Sequence, residues 1–316
     1  MQHITRSALT LIAILFSAQL SAAPNVVTSI KPINDLVLAV MDGVGEPTRL
    51  IPPGSSPHTY ALKPSERQAA EHADVLFWIG PEVETSLEKV SQNLPKQARV
   101  VTLADLPGME KLQARTGGDW ERKRPMARQA DAHGKHGDHD EHNHRSTLDG
   151  HMWLSPANAG VIVRATAQTL SEIDPTNTAK YQANAEQALT RLSQLDTSLK
   201  QQLAPVQNKP FIVFHDAYQY FEHAYDLQAA GSILVSPDAM ASAKRVNDMR
   251  NKIKALGATC VFSEPQFEPK LVQTLVEGTQ ARTGVLDPLG ASLPGGMDGY
   301  EQLIQNLANN LLHCLQ

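Results

Sequence analysis

The chain has 316 residues, enough for one large domain or two of medium size. An apolar content of 41% with 19% charged residues supports a buried core. A net charge of −5 and a pI near 6.2 argue against nucleic acid as a partner. The first 23 residues read as a secretory signal. Arg6 supplies the positive start, ALTLIAILFSAQL an apolar run, and SAAPN the small residues where cleavage after Ala22 or Ala23 is expected. The run falls short of the roughly 20 residues that a spanning helix needs; a retained short anchor is the alternative. No later segment is long and apolar enough to span, so the mature chain is expected to be exported and soluble.

Short apolar strands then alternate with helical patterns. NVVTSI, TRLIP, DVLFWIG and ARVVTL read as strands. Between them INDLVLAVMDG, KPSERQAAEHA and EVETSLEKVSQNL read as helices, the first ending at Gly43. Such alternation implies crossover units on a parallel sheet. From about residue 105 to 150 the composition turns polar, with no periodicity. This stretch is expected to form a mobile loop, at about 110–149. It contains DAHGKHGDHDEHNHR, with His133, His136, His139, His142 and His144.

Ser155 with Pro156 at the next position starts a long helical pattern that runs to Asp174. A second long helix follows, to about Pro205. Alternation then resumes: FIVFH, LQAAGSIL, TCVFS and TGVLD read as strands, with helices SAKRVNDMRNKIKALG, EPKLVQTLVEGTQ and GMDGYEQLIQNLANNLLHCL. The fold class is therefore α/β, two similar parallel-sheet lobes joined by a long helix. The divisions are residues 24–154, 155–174 and 175–316. The two cysteines, Cys260 in an apparent buried strand and Cys314 in the last helix, form an even pair that suggests a disulfide in an exported chain. Two buried free thiols are the alternative.

Ligands of open α/β sheets sit just past the carboxyl ends of strands. His215 ends FIVF, Asp287 ends GVL, His58 lies in the loop after the second strand, and His151 lies just before the first long helix. Three imidazoles and a carboxylate, two from each lobe, suit a divalent ion in the interlobe cleft. Imidazole favours Zn, Cu or Ni over Mg or Ca. Glu264 also follows a strand and is a candidate to orient a ligand histidine from behind, with a plain turn or capping role as the alternative. His72, His223 and His313 read as structural.

PPGSSPHTYALKPSE, DGHMWLSPANA, VFHDAYQYF, FSEPQF and VLDPLG, in this order over nearly the whole mature chain, resemble the signature segments of the metal-binding proteins that serve ABC importers of zinc and manganese. His215 after VF, where manganese members resemble this pattern with Glu, and the histidine-rich loop place the resemblance in the zinc-uptake, ZnuA-like branch. The resemblance implies Zn(II) as cargo, His58, His151 and His215 as ligands, and Asp287 or a water in the fourth place. Pro57 stands where some zinc members have an acidic residue, so that carboxylate is missing. It also implies a Cys260–Cys314 disulfide, a rigid joining helix, periplasmic location, a membrane permease as partner and no enzymatic activity. A periplasmic zinc chaperone is a further partner to consider. The competing functions are a manganese-binding relative, a zinc buffer whose activity lies wholly in the histidine run, and a secreted zinc hydrolase. The hydrolase is disfavoured because no His-Glu-x-x-His pair exists.

Overall fold

The computed structural model describes residues 23–115, 120, 148–234, 242–257, 260–268 and 270–316. The proposed signal segment, the histidine run and its five histidines lie outside the described residues, apart from Ala23 at the end of the former. The first half builds β1 (Val26–Thr28), α1 (Lys31–Met41), β2 (Thr48–Arg49), α2 (Pro64–Glu71), β3 (Val75–Trp78), α3 (Thr85–Gln92) and β4 (Arg99–Thr102). Two long helices follow, α4 (Pro156–Ile173) and α5 (Thr178–Leu203). The second half builds β5 (Phe211–Val213), α6 (Gln219–Tyr225), β6 (Ala229–Ser232), α7 (Ala243–Leu256), β7 (Cys260–Ser263), α8 (Lys270–Val276), β8 (Arg282–Val285) and α9 (Gly296–Leu315).

Each half forms a four-stranded, wholly parallel sheet, and the two share one strand order: β2-β1-β3-β4 and β6-β5-β7-β8. In both, the chain reverses its direction of winding beside the first strand of the half. The crevice between β5 and β7 is therefore a topological switch point, where strand ends splay their following loops apart. Burial on both faces explains the unbroken apolar runs, such as Val75, Leu76, Phe77 and Trp78, all buried. In the second sheet, alternate residues serve different partners. Phe211, Val213, Ala229, Cys260 and Phe262 join the main core, while Ile212, Phe214, Ala230 and Val261 join a smaller cluster with Met249 and Ile253 of α7 and Val272 and Leu275 of α8.

α4 starts as its sequence suggests, with the Ser155 hydroxyl accepting from Asn158 N and Pro156 in the first turn. It packs along α5, which in turn packs on α1 and α9. α1 buries Ile33, Leu36, Val37 and Val40, and α9 buries Tyr300, Leu303, Ile304, Leu307 and Leu311, each a stripe at helical spacing. The α1–α9 contact ties one half to the other. The buried Lys31 ammonium donates to Asp35 Oδ2 at 2.6 Å and to the Pro294 carbonyl at 2.7 Å. Gly299 is required there, because a Cβ would lie 2.1 Å from the Pro294 oxygen and 3.0 Å from Asp35 Oδ2. Cys260 of β7 and Cys314 of α9 are joined as a disulfide, with Cα atoms 6.0 Å apart.

Candidate metal centre

His58, His151 and His215 come together although 157 residues of sequence separate the first from the last. His58 sits in the loop that turns at Pro52, Pro53 and Gly54 after β2. His151 opens a single 3-10 turn, Met152–Leu154, that leads into α4. His215 directly follows β5 and Phe214, at the switch point. His151 and His215 are 7% and 4% exposed, and His58 is half-buried.

The rings converge through one nitrogen each. Nε2 of His151 lies 3.1 Å from Nε2 of His58 and 3.4 Å from Nε2 of His215. The ring planes are steeply tilted to one another, at 52°, 62° and 81°. An ion with Zn–N bonds of about 2.0–2.1 Å in a tetrahedron places its nitrogens about 3.3–3.4 Å apart. The imidazoles are thus spaced as that ion requires, and they offer a donor set of nitrogens suited to it.

The opposite ring nitrogens are fixed by carboxylates. Asp149 Oδ1 is 2.8 Å from His151 Nδ1 and also accepts the His151 backbone N–H at 2.9 Å. Glu264, in the turn after β7, places Oε1 2.8 Å from His215 Nδ1 and accepts the His215 backbone N–H at 3.2 Å. Its Oε2 is close as well, 2.7 Å from Nδ1, but no donor is aligned with it. Each carboxylate holds the proton on Nδ1 and leaves Nε2 bare for a metal. Trp153 packs on His151 with centroids 5.2 Å apart and is anchored by its Nε1–H to the Pro288 carbonyl. Phe267 flanks His215.

Burial, followed by the neighbouring imidazoles, holds His58 and His151 well below the usual histidine range, so both are neutral. Burial also opposes protonation of His215, but Glu264, Asp216 and Asp149 together outweigh it and the shift is upward. Burial pushes Asp149 up to about 7. A partly buried ion-pair cluster adjoins the site. Arg115 spans Asp216 and Glu222, with Nε 3.0 Å from Asp216 Oδ2 and a terminal nitrogen 2.8 Å from Glu222 Oε1. Its guanidinium also stacks 3.7 Å from the Trp120 ring. Leu112 N donates to the Tyr220 hydroxyl and Trp120 N to Ala230 O, so with the Arg115 pairs Leu112, Arg115 and Trp120 are docked on the second half.

The family described as "Zinc-uptake complex component A periplasmic", ZnuA, matches residues 26–314. The chain belongs to the ZnuA family. Among curated relatives, "High-affinity zinc uptake system protein ZnuA" of Brucella abortus (strain 2308) is 50% identical, over 92% of this chain and 91% of that protein. The protein of the same name from Yersinia pestis is 35% identical, over 96% and 97%. The periplasmic zinc-binding protein TroA from Treponema pallidum shares the fold with a TM-score of 0.76 at 21% identity, covering 92% of this chain and 99% of that one. A crystal structure of ZnuA shares it at 0.74 and 24%, covering 92% and 98%. The ZnuA family is a substrate-binding component of a zinc-uptake system, not an enzyme.

Against the sequence-based expectations for a ZnuA-like chain, the structure gathers the three histidines and sets Glu264 behind His215. It does not gather Asp287. The group of facing donor atoms among the described residues is His58, His151 and His215. Asp287 Oδ1 instead accepts from Gln266 Nε2 at 2.8 Å and Leu289 N at 3.0 Å, and Oδ2 accepts Ala291 N at 3.1 Å. Its carboxylate caps the turn after β8. Asp149 is the residue that sequence reasoning missed. The signal was an Asp two positions before a buried His, a spacing that lets one oxygen meet both the backbone N–H and Nδ1. His223, expected to be structural, pairs with Glu110 at the surface at 3.0 Å.

Proposed function

We propose that this chain captures Zn(II) outside the cytoplasm with His58, His151 and His215, and delivers it to the membrane permease of an ABC importer. The observation that carries the reading is the convergence of three bare Nε2 atoms at 3.1 and 3.4 Å, each of two rings backed by a buried carboxylate. Membership of a periplasmic zinc-uptake family supports the location and the permease as partner. His58 comes from the first half, His151 from the approach to α4 and His215 from the second half. An ion therefore bridges residues 24–154 and 175–316 across the joining helix 155–174, and binding favours whichever arrangement holds all three nitrogens together. α4 packs lengthwise on α5, and α1 on α9, which supports small lobe tilts rather than wide closure.

The histidine run is assigned an accessory part. Ordering a Gly-rich segment around an ion costs roughly 1–2 kcal/mol per backbone residue, so His133, His136, His139, His142 and His144 hold zinc more weakly than the cleft. Chelator-competition titration with Zn(II) and Mn(II) tests both parts. The wild type should show one tight zinc site plus weaker equivalents, and prefer zinc to manganese. Changing His58, His151 and His215 together to Ala should remove the tight site. Deleting residues 131–145 should remove only the weaker equivalents. A tight site that survives the triple change, or vanishes with the deletion, defeats the reading in favour of a buffer centred on the run.

A further inference from the structure

Gln266 lies two residues past Glu264 in the turn after β7. It lines the same small cavity as the three imidazoles, together with Pro57 and Trp153. Its Nε2 donates to Asp287 Oδ1 at 2.8 Å. A carboxylate only accepts, so the amide nitrogen must face it, and the carbonyl end is the one left over. That Oε1 is buried and has no hydrogen-bond partner. Asp287 is also held by Leu289 N at the same Oδ1 and by Ala291 N at Oδ2.

We infer that Gln266 is a selectivity-determining residue that withholds Asp287 from the metal. This rests on the zinc reading above. With Asp287 clamped, an ion in the cleft meets three imidazole nitrogens and no anionic oxygen. Its fourth position is left to a water, for which the unpartnered Gln266 Oε1 is a ready acceptor. Zinc is well served by such a set, whereas manganese and magnesium favour carboxylate, carbonyl and water oxygens. The clamp therefore handicaps the harder ions more than zinc. The physical content is a competition for one carboxylate, between an amide with two backbone N–H groups and a cation in the cavity that the adjoining Pro288 and Leu289 line.

The test uses the mature full chain, stripped of metal, as wild type, Gln266→Ala, Asp287→Asn and the double variant. Asn at 287 retains an oxygen acceptor for the turn. Zinc and manganese affinities are read by chelator competition and by the paramagnetic resonance of free Mn(II). The visible spectrum of the Co(II) form reports the donor set. Gln266→Ala should tighten manganese binding by roughly tenfold, comparable to changes seen when groups behind ligands are altered, with a smaller change for zinc. The double variant should return manganese affinity to the wild-type value. The Co(II) spectrum should shift in Gln266→Ala and revert in the double variant. If the Ala variant does not fold, Gln266→Met fills a similar volume and donates nothing. Unchanged manganese affinity in a folded variant overturns the inference. So does a tenfold loss of zinc affinity in Asp287→Asn alone, since Asp287 would then bind the ion despite the clamp. His151→Ala checks the underlying reading separately. Tight zinc that survives there refutes the site itself, while a His151-dependent site whose zinc-to-manganese ratio ignores Gln266 refutes only the clamp.

Discussion

Glu264→Gln isolates the electrostatic part of the support behind His215. The substitution keeps the side-chain shape and an oxygen for the His215 backbone N–H, but removes the negative charge facing Nδ1. Glu264 is 3% exposed, so water does not screen that charge. A hydrogen bond to a charged group contributes roughly 1.5–3 kcal/mol and one between neutral groups about 0.5–1.5 kcal/mol. The difference, about 1–1.5 kcal/mol, corresponds to roughly a tenfold change in affinity. A second effect adds to it. The Gln amide can present its NH2 to Nδ1, which moves the imidazole proton to Nε2, the nitrogen that must stay bare. Zinc affinity measured against a competing chelator should therefore fall by about 10–100-fold, to a value between wild type and His215→Ala. Wild-type affinity in Glu264→Gln would refute the carboxylate's role. A loss equal to that of His215→Ala would show that Glu264 acts on more than the orientation of one ring.

Three further outcomes are expected. Arg115→Ala leaves the buried Glu222 and the partly buried Asp216 without their cation, and breaking such a pair costs about 3–5 kcal/mol. Burial holds Asp216 up at about 6, so the loss in melting temperature should grow as pH rises through that value; a pH-independent loss would contradict the ionic account. Glu84 is fully buried, accepts the N–H groups of Ile79 and Gly80, and is raised by burial from 4.5 to about 7. The stability associated with its protonated form is complete below pH 4.5 and is lost as pH rises through 7, an effect on the order of 3 kcal/mol. Glu84→Gln should thus gain on the wild type in thermal melts between pH 5 and 8, and a constant difference would contradict this. Opening the Cys260–Cys314 bridge, which spans 54 residues of sequence, should lower stability in urea by about 4 kcal/mol, with an unshifted midpoint as the contrary result.

Much of this was legible beforehand, for identifiable reasons. Alternating apolar runs and capped helical stripes encode the parallel sheets, and Ser155-Pro156 marks the start of α4 to the residue. Strand ends were less sharp. TRLIP contributes only Thr48–Arg49 as formal strand, yet Leu50 N and Ile51 N still bond to Thr28 O and Ser29 O, so the ladder fades gradually into the His58 loop. The convergence of the three histidines was legible because strand ends and helix approaches are where a parallel sheet brings loop side chains together. Asp149 was not, because it lies in an aperiodic stretch whose meaning depends on the geometry of one turn. Asp287, expected directly at a strand end, follows β8 by two residues. What sequence could not show is that Asp-Pro-Leu-Gly-Ala folds back so that backbone N–H groups, with Gln266, consume both carboxylate oxygens.

The division of apolar contacts in the second sheet has a consequence for how the molecule comes apart. One continuous core runs from Val26 of β1 to Leu315 of α9 and takes in both sheets and the helices between them. The two halves cannot melt one after the other, because neither keeps a closed interior when the other is lost. The ten-residue cluster under α7 and α8 is separate and rests on a single sheet face. That layer is the natural first unit to open below the global transition. Amide hydrogen exchange should therefore be fastest, among the helices, in α7 and α8 and slowest in α1, α5 and α9, with heat absorption in a single main peak. Glu264, which steadies His215, and Gln266, which holds Asp287, lie on the chain between β7 and α8, so the least secure layer of the protein borders the metal centre.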